Sequence, residues 1–384
     1  MRFEFATATR IIFGAGTFRD LGALARQMGS RALIATGLPA DLTEPLLDML
    51  QAEGLDCLSF PVPVEPTTHL VQEGTQLARD GERDLVIGFG GGSAVDTGKA
   101  IAALMTNEGE PLDYLEVIGR GKPLIRPPAP YVAIPTSAGT GAEVTRNAVL
   151  ASPEHKVKVS LRSPLMLPRL ALVDPELTHS LPPAVTASAG LDALTQVLEP
   201  YVSHRANPLT DSLCREGMAR AARSLRRAYE DGADAAARED MSITSLFGGL
   251  ALANAGLGAA HGFAGPVGGL FHAPHGAVCA VLLPHVMEAN VRALQEREPD
   301  NPALQRYDEV AQILAGKSGA MAAGGVTWVQ ALCQALHVPP LSAYGMTPDD
   351  IPLLVEKSAA ARSMKTNPIK LTTDELTSIL SRAM

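Results

Sequence analysis

An aspartate, a glutamine and three histidines in the second half of the chain have the spacing and chemistry of a metal site. Asp192 and Gln196 stand four positions apart, so their side chains share one face if the segment is helical. His261 and His275 follow, with His272 between them. A carboxylate with imidazoles suits Zn²⁺ or Fe²⁺. A single Asp or His in an apolar helix is more often structural, so the grouping carries the prediction of a metal site.

A glycine-rich loop in the first half has the setting of a phosphate-binding turn. Residues 90–93 read Gly-Gly-Gly-Ser, after an apolar run and before a helical one. The backbone of Gly91, Gly92 and Ser93 could approach a pyrophosphate closely, and the amides of a helix N-terminus attract anions. The spacing is neither a GxGxxG fingerprint nor a Walker loop, since Ala100 stands where a Walker loop has a hydroxyl. Alone, the loop predicts a tight strand-to-helix turn as readily as a cofactor site.

A second loop, residues 135–143, concentrates small residues and hydroxyls after another apolar run. Thr136, Ser137 and Thr140 could offer backbone amides and hydroxyls to a cofactor. Connections rich in Ser and Thr are common in proteins. Two such loops in one region nevertheless favour nucleotide binding.

Short apolar runs alternate with amphipathic runs around these loops. We predict strands over residues 31–36, 55–60, 84–89 and 131–134, and helices over residues 41–53, 68–79 and 93–106. This alternation indicates parallel βαβ units with ligand sites at the strand carboxyl ends. Beyond residue 181 the pattern is helical. We expect an α/β dinucleotide-binding domain with a Rossmann-like parallel sheet over residues 1–180, and an all-α metal and substrate domain over residues 181–384.

Composition restricts the class of protein. The chain of 384 residues has a formal net charge of −9 and no basic stripe, which argues against nucleic acid as a partner. The four cysteines form no CxxC pair, so we expect reduced thiols rather than a disulfide framework or a cysteine zinc site. The N-terminus lacks an apolar signal core, and we expect a cytoplasmic protein.

An uncharged stretch, residues 246–271, is long enough to cross a bilayer. It contains many glycines together with Asn254 and His261, and no basic flank orients it. We therefore predict buried helix and loop here, and no membrane association.

With these motifs in place, the chain resembles the iron-containing (group III) alcohol dehydrogenases, which have the dehydroquinate-synthase-like fold. Residues 90–93 with Asp96 and Lys99 are similar to the family's GGGSxxDxxK motif, and residues 135–143 to its PTTAGTGSE motif, where Ser137 and Ala142 depart from it. Further matches are residues 13–16, Lys158, residues 173–175, residues 190–194 and residues 274–276.

The resemblance implies roles for particular residues. The dinucleotide would contact residues of both loops, with Asp96 and Lys158. Asp192, His261 and His275 would be metal ligands. The family's fourth ligand is a histidine where this chain has Gln196, and Gly265 replaces a further common histidine. Because some relatives hold zinc with one Asp and two His, we expect three strong ligands, with Gln196 a weak fourth ligand or a partner of bound water.

The implied reaction is hydride transfer between a nicotinamide and a small alcohol, aldehyde or ketone, in a cleft between the domains. Fe²⁺ or Zn²⁺ would act as a Lewis acid on the substrate oxygen. His272 is the candidate for relaying the proton to solvent, because histidine titrates near neutrality. Relatives are often dimers or larger, so we expect a homo-oligomer.

Cofactor choice is predicted to depend on Gly37. Relatives that prefer NAD often have an Asp after the strand that ends here at Thr36, and its carboxylate would accept from the ribose and repel a 2′-phosphate. Gly37 removes that charge. We therefore expect NADPH to be accepted alongside NADH.

Three alternatives stay open from sequence. One is a metal-free reductase of the maleylacetate reductase type, which metal analysis would distinguish. Another is a sugar-phosphate cyclase of the dehydroquinate synthase type, which would need Lys and Arg near the metal, and the motifs from Asp192 to His275 carry none. The last is a non-catalytic nucleotide-binding protein, which turnover of NADH with any aldehyde would exclude.

Overall fold

The computed structural model describes residues 2–63, 65–155 and 157–384, which form two compact units. The α/β unit comprises Thr7–Ser137 and Gly141–Thr178. The helical unit comprises His179–Met384, a segment ending at Ala6, and Ala138–Thr140. The middle of the second loop thus belongs to the helical unit.

The α/β unit is built on a parallel sheet. Its strands are β1 (Ile11–Phe13), β2 (Arg31–Thr36), β3 (Asp56–Pro61), β4 (Leu85–Gly90), β5 (Tyr131–Pro135) and β8 (Leu170–Val173), with β6 (Asn147–Ser152) and β7 (Val157–Arg162) forming a separate antiparallel pair. Its helices are α1 (Leu21–Arg26), α2 (Ala40–Ala52), α3 (Thr68–Asp80), α4 (Gly92–Leu104) and α5 (Pro111–Tyr114). The order of the six-stranded sheet is β1-β8-β5-β4-β2-β3.

The central strands β2 and β4 are mostly apolar because both faces of the sheet are covered. All six residues of β4 are buried, as are five of the six in β2. Thr36 pairs with Phe89 in parallel register, so β2 and β4 end side by side. Gly37 and the glycine-rich loop therefore leave the same edge of the sheet, where open α/β sheets bind ligands.

The predicted α/β fold class, followed by helices, is confirmed. The predicted strands and helices of the first half lie within two residues of the observed bounds. β1, β8 and the β6–β7 pair were not predicted from the sequence.

The helical unit contains α6 (Pro183–Val202), α7 (Pro208–Glu230), α8 (Ala235–Ala255), α9 (Ala259–Phe271), α10 (His275–Arg297), α11 (Ala303–Ala315), α12 (Ala322–Ala335), α13 (Ile351–Ala359) and α14 (Thr373–Arg382). Its core includes Leu191, Leu194 and Phe263, none of which is exposed to solvent. The amide of Asn254 exchanges two hydrogen bonds with the backbone of Ala6, which ties the N-terminal segment to α8.

The uncharged stretch contains the end of α8 and all of α9, which meet at a bend of 100°. By length and composition, α10 could cross a membrane, and α8 with α9 could count as one broken span. Inside the protein, 72% of the apolar window of α10 is buried. Such burial is typical of a core helix in a water-soluble protein.

Candidate metal centre and cofactor loops

Three helices bring the predicted metal donors together. Asp192 lies in the middle of α6, His261 is the third residue of α9, and His275 is the first residue of α10. Close approach of α10 to α6 depends on Gly276, since a Cβ there would lie 2.4 Å from the carbonyl oxygen of Ser188. A larger residue at 276 would therefore force the two helices apart.

The donor atoms lie within bonding reach of one ion. His261 Nε2 is 3.2 Å from Asp192 Oδ1, and His275 Nε2 is 3.9 Å from the same oxygen. The two imidazole centroids are 5.4 Å apart and their rings are tilted by 52°. The side chains of Asp192 and His261 are almost completely buried, whereas that of His275 is 36% exposed. The cluster therefore has a dry side and a side that solvent reaches.

Two of the donor atoms in this cluster are well placed to bind a cation. Asp192 Oδ1 and His261 Nε2 are both buried and lie 3.2 Å from each other, and apart from this mutual contact neither makes a hydrogen bond within the part of the chain that the structure describes. Buried polar atoms are nearly always satisfied, because leaving one unpaired costs on the order of 1–3 kcal/mol. A divalent cation between them would satisfy both lone pairs at once.

Glu199 orients the His261 ring. Its carboxylate accepts hydrogen bonds from the backbone N–H groups of Gly258 and Ala260, at 2.9 and 2.7 Å, and lies 2.7 Å from His261 Nδ1. Because the carboxylate can only accept, Nδ1 carries a hydrogen, and Nε2 is the ring nitrogen that faces Asp192 and is left for a metal. A carboxylate behind a ligating histidine is a common arrangement at metal centres.

The electrostatics keep the aspartate anionic. Burial raises the pKa of Asp192, but the neighbouring His275 and His261 outweigh burial, and the pKa lies below its ordinary value. Burial lowers the pKa of His261, but the carboxylates of Glu199 and Asp192 outweigh burial, and the net pKa is well above the usual range. In the absence of a metal these carboxylates therefore favour a proton on Nε2, and a bound cation would take the place of that proton. The pocket thus attracts positive charge.

Cys279, which the sequence did not single out, lies in the same cluster. Donor atoms of Asp192, His261, His275 and Cys279 all lie within 4.8 Å of one another. Burial raises the pKa of the Cys279 thiol to about 12. The feature of the sequence that could have indicated this residue is its position four residues after His275, one turn along the same helix.

Gln196 shares the buried face of α6 with Asp192, but its amide already has a partner. Its Nε2 donates to the carbonyl oxygen of Gly139 at 2.9 Å. The residue that replaces the family's histidine therefore fastens the middle of the second loop to the metal-bearing helix.

His272, the predicted proton relay, is exposed and ends α9 in the left-handed conformation, with φ of 53°. Such a backbone is uncommon for a residue other than glycine. Its exposure gives the ring direct exchange with solvent.

The glycine-rich loop has the geometry of an anion site. Gly91 caps α4, which begins at Gly92, and Ser93 follows in the first turn. The backbone N–H of Thr136 donates to the carbonyl oxygen of Gly90 at 2.9 Å, so the two loops start from adjacent strands joined by a hydrogen bond. Ser137 remains partly exposed beside them.

Asp96 and Lys99 hold this region together. Asp96 Oδ1 accepts from Lys99 Nζ at 3.4 Å, and Oδ2 accepts from the backbone N–H of Val149 at 2.9 Å. The buried Lys99 ammonium also donates to the carbonyl oxygens of Ala142 and Asn147. Since both carboxylate oxygens are used inside the protein, Asp96 fits a positioning role instead of the predicted contact with the cofactor.

The remaining predicted cofactor residues are spread over both units. Lys158 lies on β7, and its ammonium pairs with the carboxylate of Glu65. Thr140 is partly buried in the loop segment that belongs to the helical unit. Gly37 follows β2, and a Cβ there would lie 2.6 Å from the carbonyl oxygen of Val62, so the backbone itself requires glycine.

A parallel sheet with two small-residue loops, and a carboxylate–histidine cluster on helices, define a metal-assisted nucleotide-dependent enzyme. Family models agree on this class: "Iron-containing alcohol dehydrogenase" matches residues 8–175, and "Fe-containing alcohol dehydrogenase family, C-terminal" matches residues 186–384. The chain belongs to the iron-containing alcohol dehydrogenase family and is an oxidoreductase.

Individual relatives cover almost all of the chain. Alcohol dehydrogenase 4 of Saccharomyces cerevisiae (strain YJM789) is 35% identical over 358 residues, 92% of this chain and 91% of its own length. A crystal structure of 1,3-propanediol oxidoreductase superposes with a TM-score of 0.92 at 31% identity, covering 100% of both chains. Sulfoacetaldehyde reductase from Bifidobacterium kashiwanohense, solved in complex with NAD⁺, gives 0.86 at 26% identity over 99% of this chain and 98% of that one. The predicted family, alcohol dehydrogenase activity, nicotinamide cofactor and divalent metal are confirmed at this level.

Proposed function

We propose that this chain interconverts a small alcohol and its aldehyde or ketone, using NAD or NADP and a divalent metal, Fe²⁺ or Zn²⁺, held by Asp192, His261 and His275. The observation that carries the proposal is that Asp192 Oδ1 and His261 Nε2 are buried, face each other at 3.2 Å and make no hydrogen bond to other described groups. When bound, the metal would supply Lewis-acid polarisation of the substrate oxygen, and the nicotinamide would supply or accept the hydride.

The side chains around the cluster would prepare it for this chemistry. Glu199 holds the His261 ring so that Nε2 faces Asp192. The partly exposed His275 lies on the side of the cluster that solvent, and so a small substrate, can reach. His272 remains our candidate for exchanging the alcohol proton with solvent, since its ring is exposed.

The dinucleotide would lie over the two loops. The amides at Gly91, Gly92 and Ser93 would bind its pyrophosphate at the start of α4. Thr136, Ser137, Thr140 and Lys158 are the further proposed contacts. Lys158 would exchange its partner Glu65 for a phosphate, and Asp96 would act through Lys99.

The proposal also covers the choice of cofactor, the kind of partner and the cellular location. The absence of a side chain at Gly37 supports acceptance of NADPH. A net charge of −9 supports small-molecule partners over nucleic acid, and four unpaired thiols support the reducing cytoplasm. By analogy with relatives we propose a homo-oligomer, without membrane association.

The test is a screen of NADH and NADPH oxidation over short aldehydes and ketones, with metal content measured on the same sample. We expect turnover that scales with bound metal and disappears after chelation. Full turnover by a metal-free sample would support the metal-free reductase instead. No turnover of either cofactor with any carbonyl compound would contradict the proposal.

A further inference from the structure

One thiol in the helical unit lies within reach of three metal donors. Cys279 is completely buried, and its Sγ is 3.8 Å from His275 Nε2. It belongs to the group whose donor atoms all lie within 4.8 Å of one another. Cys214 is buried to the same extent on α7 and lies outside this group.

We propose that the Cys279 thiolate is the fourth protein ligand of the metal. The proposal rests on the metal site of the proposed function and departs from the family pattern, in which a histidine at position 196 would take this place. Gln196 is a weaker substitute, because its only ligating atom, the amide oxygen Oε1, is a neutral donor, while Nε2 donates to Gly139. Asp192 Oδ1 and His261 Nε2 are buried, make no hydrogen bond except their contact with each other, and border the same space as Cys279.

Charge balance favours the thiolate. A divalent ion held by Asp192 and two neutral imidazoles alone would carry one positive charge that its own ligands do not balance, since the buried Glu199 carboxylate acts only from behind His261. A thiolate provides the second negative charge. On binding, the S–H bond of Cys279 breaks, its proton passes to solvent, and the sulfur electron pair forms the bond to the metal, with no change in oxidation state.

A sulfur ligand also changes which metal is preferred. Thiolates are soft donors that suit zinc, whereas carboxylate and imidazole serve several first-row metals. We therefore expect the wild-type site to favour Zn²⁺ over Fe²⁺ more strongly than a Cys279→Ser variant does. Since zinc can expand to five ligands, a substrate oxygen could still enter a site with four protein ligands.

The first test is spectroscopic and needs no turnover. Apo protein is loaded with Co²⁺, and the near-ultraviolet spectrum is recorded for wild type, Cys279→Ser, Gln196→Ala and the matched buried control Cys214→Ser. We expect a sulfur-to-cobalt charge-transfer band in every protein except Cys279→Ser. A band that persists in Cys279→Ser, or is missing from wild type, overturns the proposal.

The second test uses wild type alone, so it stands even if Cys279→Ser does not fold. X-ray absorption at the zinc edge of the Zn²⁺-loaded protein should give one sulfur at about 2.3 Å among nitrogen and oxygen neighbours. A shell of nitrogen and oxygen only would exclude thiolate ligation. Neither measurement involves an alcohol or a nicotinamide. Thiolate ligation could therefore be confirmed even if the proposed reaction were not observed, and the reaction could be observed even if thiolate ligation were excluded.

Discussion

His261 Nδ1 lies 2.7 Å from Glu199 Oε2, and this contact determines which nitrogen of the ring is available to a metal. The same carboxylate accepts from two backbone amides at the start of α9, so its position is fixed independently of the ring. The orientation of the His261 ring thus follows from the hydrogen bonds by which Glu199 satisfies the backbone amides at the N-terminus of α9.

Replacement of this carboxylate tests its importance. Glu199→Gln should weaken metal binding by about 10–100-fold, because an amide holds the His261 Nδ1–H less strongly and its NH₂ opposes the backbone donors. The measurement is the metal dissociation constant from competition with a chelator. Glu288→Gln, which removes a carboxylate paired with Arg382 at the surface, is the matched control. Equal constants for wild type and Glu199→Gln would show that the contact does not support the site.

The three ligands are expected to be individually essential. Asp192→Ala, His261→Ala and His275→Ala should each lose bound metal and lower kcat by about 1000-fold, since Lewis-acid stabilisation of about 4 kcal/mol is removed. Metal analysis and steady-state kinetics on the same samples provide the check. His337→Ala, at an exposed histidine of the helical unit, should change neither quantity. A ligand variant that loses metal and keeps its rate would refute the Lewis-acid role.

Specificity for NADP should respond to charge at position 37. Since any side chain there meets the carbonyl oxygen of Val62, Gly37→Ala is the steric control for Gly37→Asp. The quantity to compare is kcat/KM for NADPH divided by kcat/KM for NADH. We expect this ratio to fall at least about tenfold further in Gly37→Asp than in Gly37→Ala, which is equivalent to about 1.4 kcal/mol of repulsion. Identical ratios in the two variants would place the 2′-phosphate elsewhere.

Glu143 should make the stability of the α/β unit depend on pH. Burial raises its pKa from 4.5 to about 7, against the attraction of Lys99. The folded protein therefore binds this proton more tightly, so the stabilising contribution is complete below pH 4.5 and is lost as pH rises through about 7. Glu143→Gln stays neutral and should raise the free energy of unfolding at about pH 8 by on the order of 2 kcal/mol, with much less effect at about pH 5.

Denaturant unfolding at the two pH values measures this difference. Glu73→Gln, at an exposed carboxylate of α3, is the control and should show no such pH-dependent gain. A Glu143→Gln variant that is destabilised equally at both pH values would mean that the buried carboxylate is ionised throughout and stabilises the fold.

The fold was predictable where the sequence pattern is strong. β2 and β4 are continuous apolar runs followed by a helix, and their buried faces explain that composition. β1 and β8 have only three and four residues, too few to show a period. Residues of β7 are mostly half-buried, so the β6–β7 pair lacks the apolar signature of the main sheet.

The residues of the metal cluster were predictable only in part. Residue chemistry and family resemblance pointed to Asp192, His261 and His275, and the structure brings them together. Cys279 and Glu199 were missed because an isolated thiol or carboxyl within an apolar helix is ordinary. That Cys279 and Glu199 face the histidines becomes visible only once the helices are packed together. Contacts between helices that are distant along the chain leave no local pattern in a single sequence.

The distribution of donors over α6, α9 and α10 has a consequence for the lifetime of the protein. A bound ion would cross-link three helices that are distant along the chain, and the unfolded chain could not hold the same donors together. At free metal 1000-fold above the dissociation constant, the ion would add about 4 kcal/mol to the free energy of unfolding. The amount of intact protein in a cell would then follow the supply of metal, so scarcity would remove the enzyme itself as well as its activity.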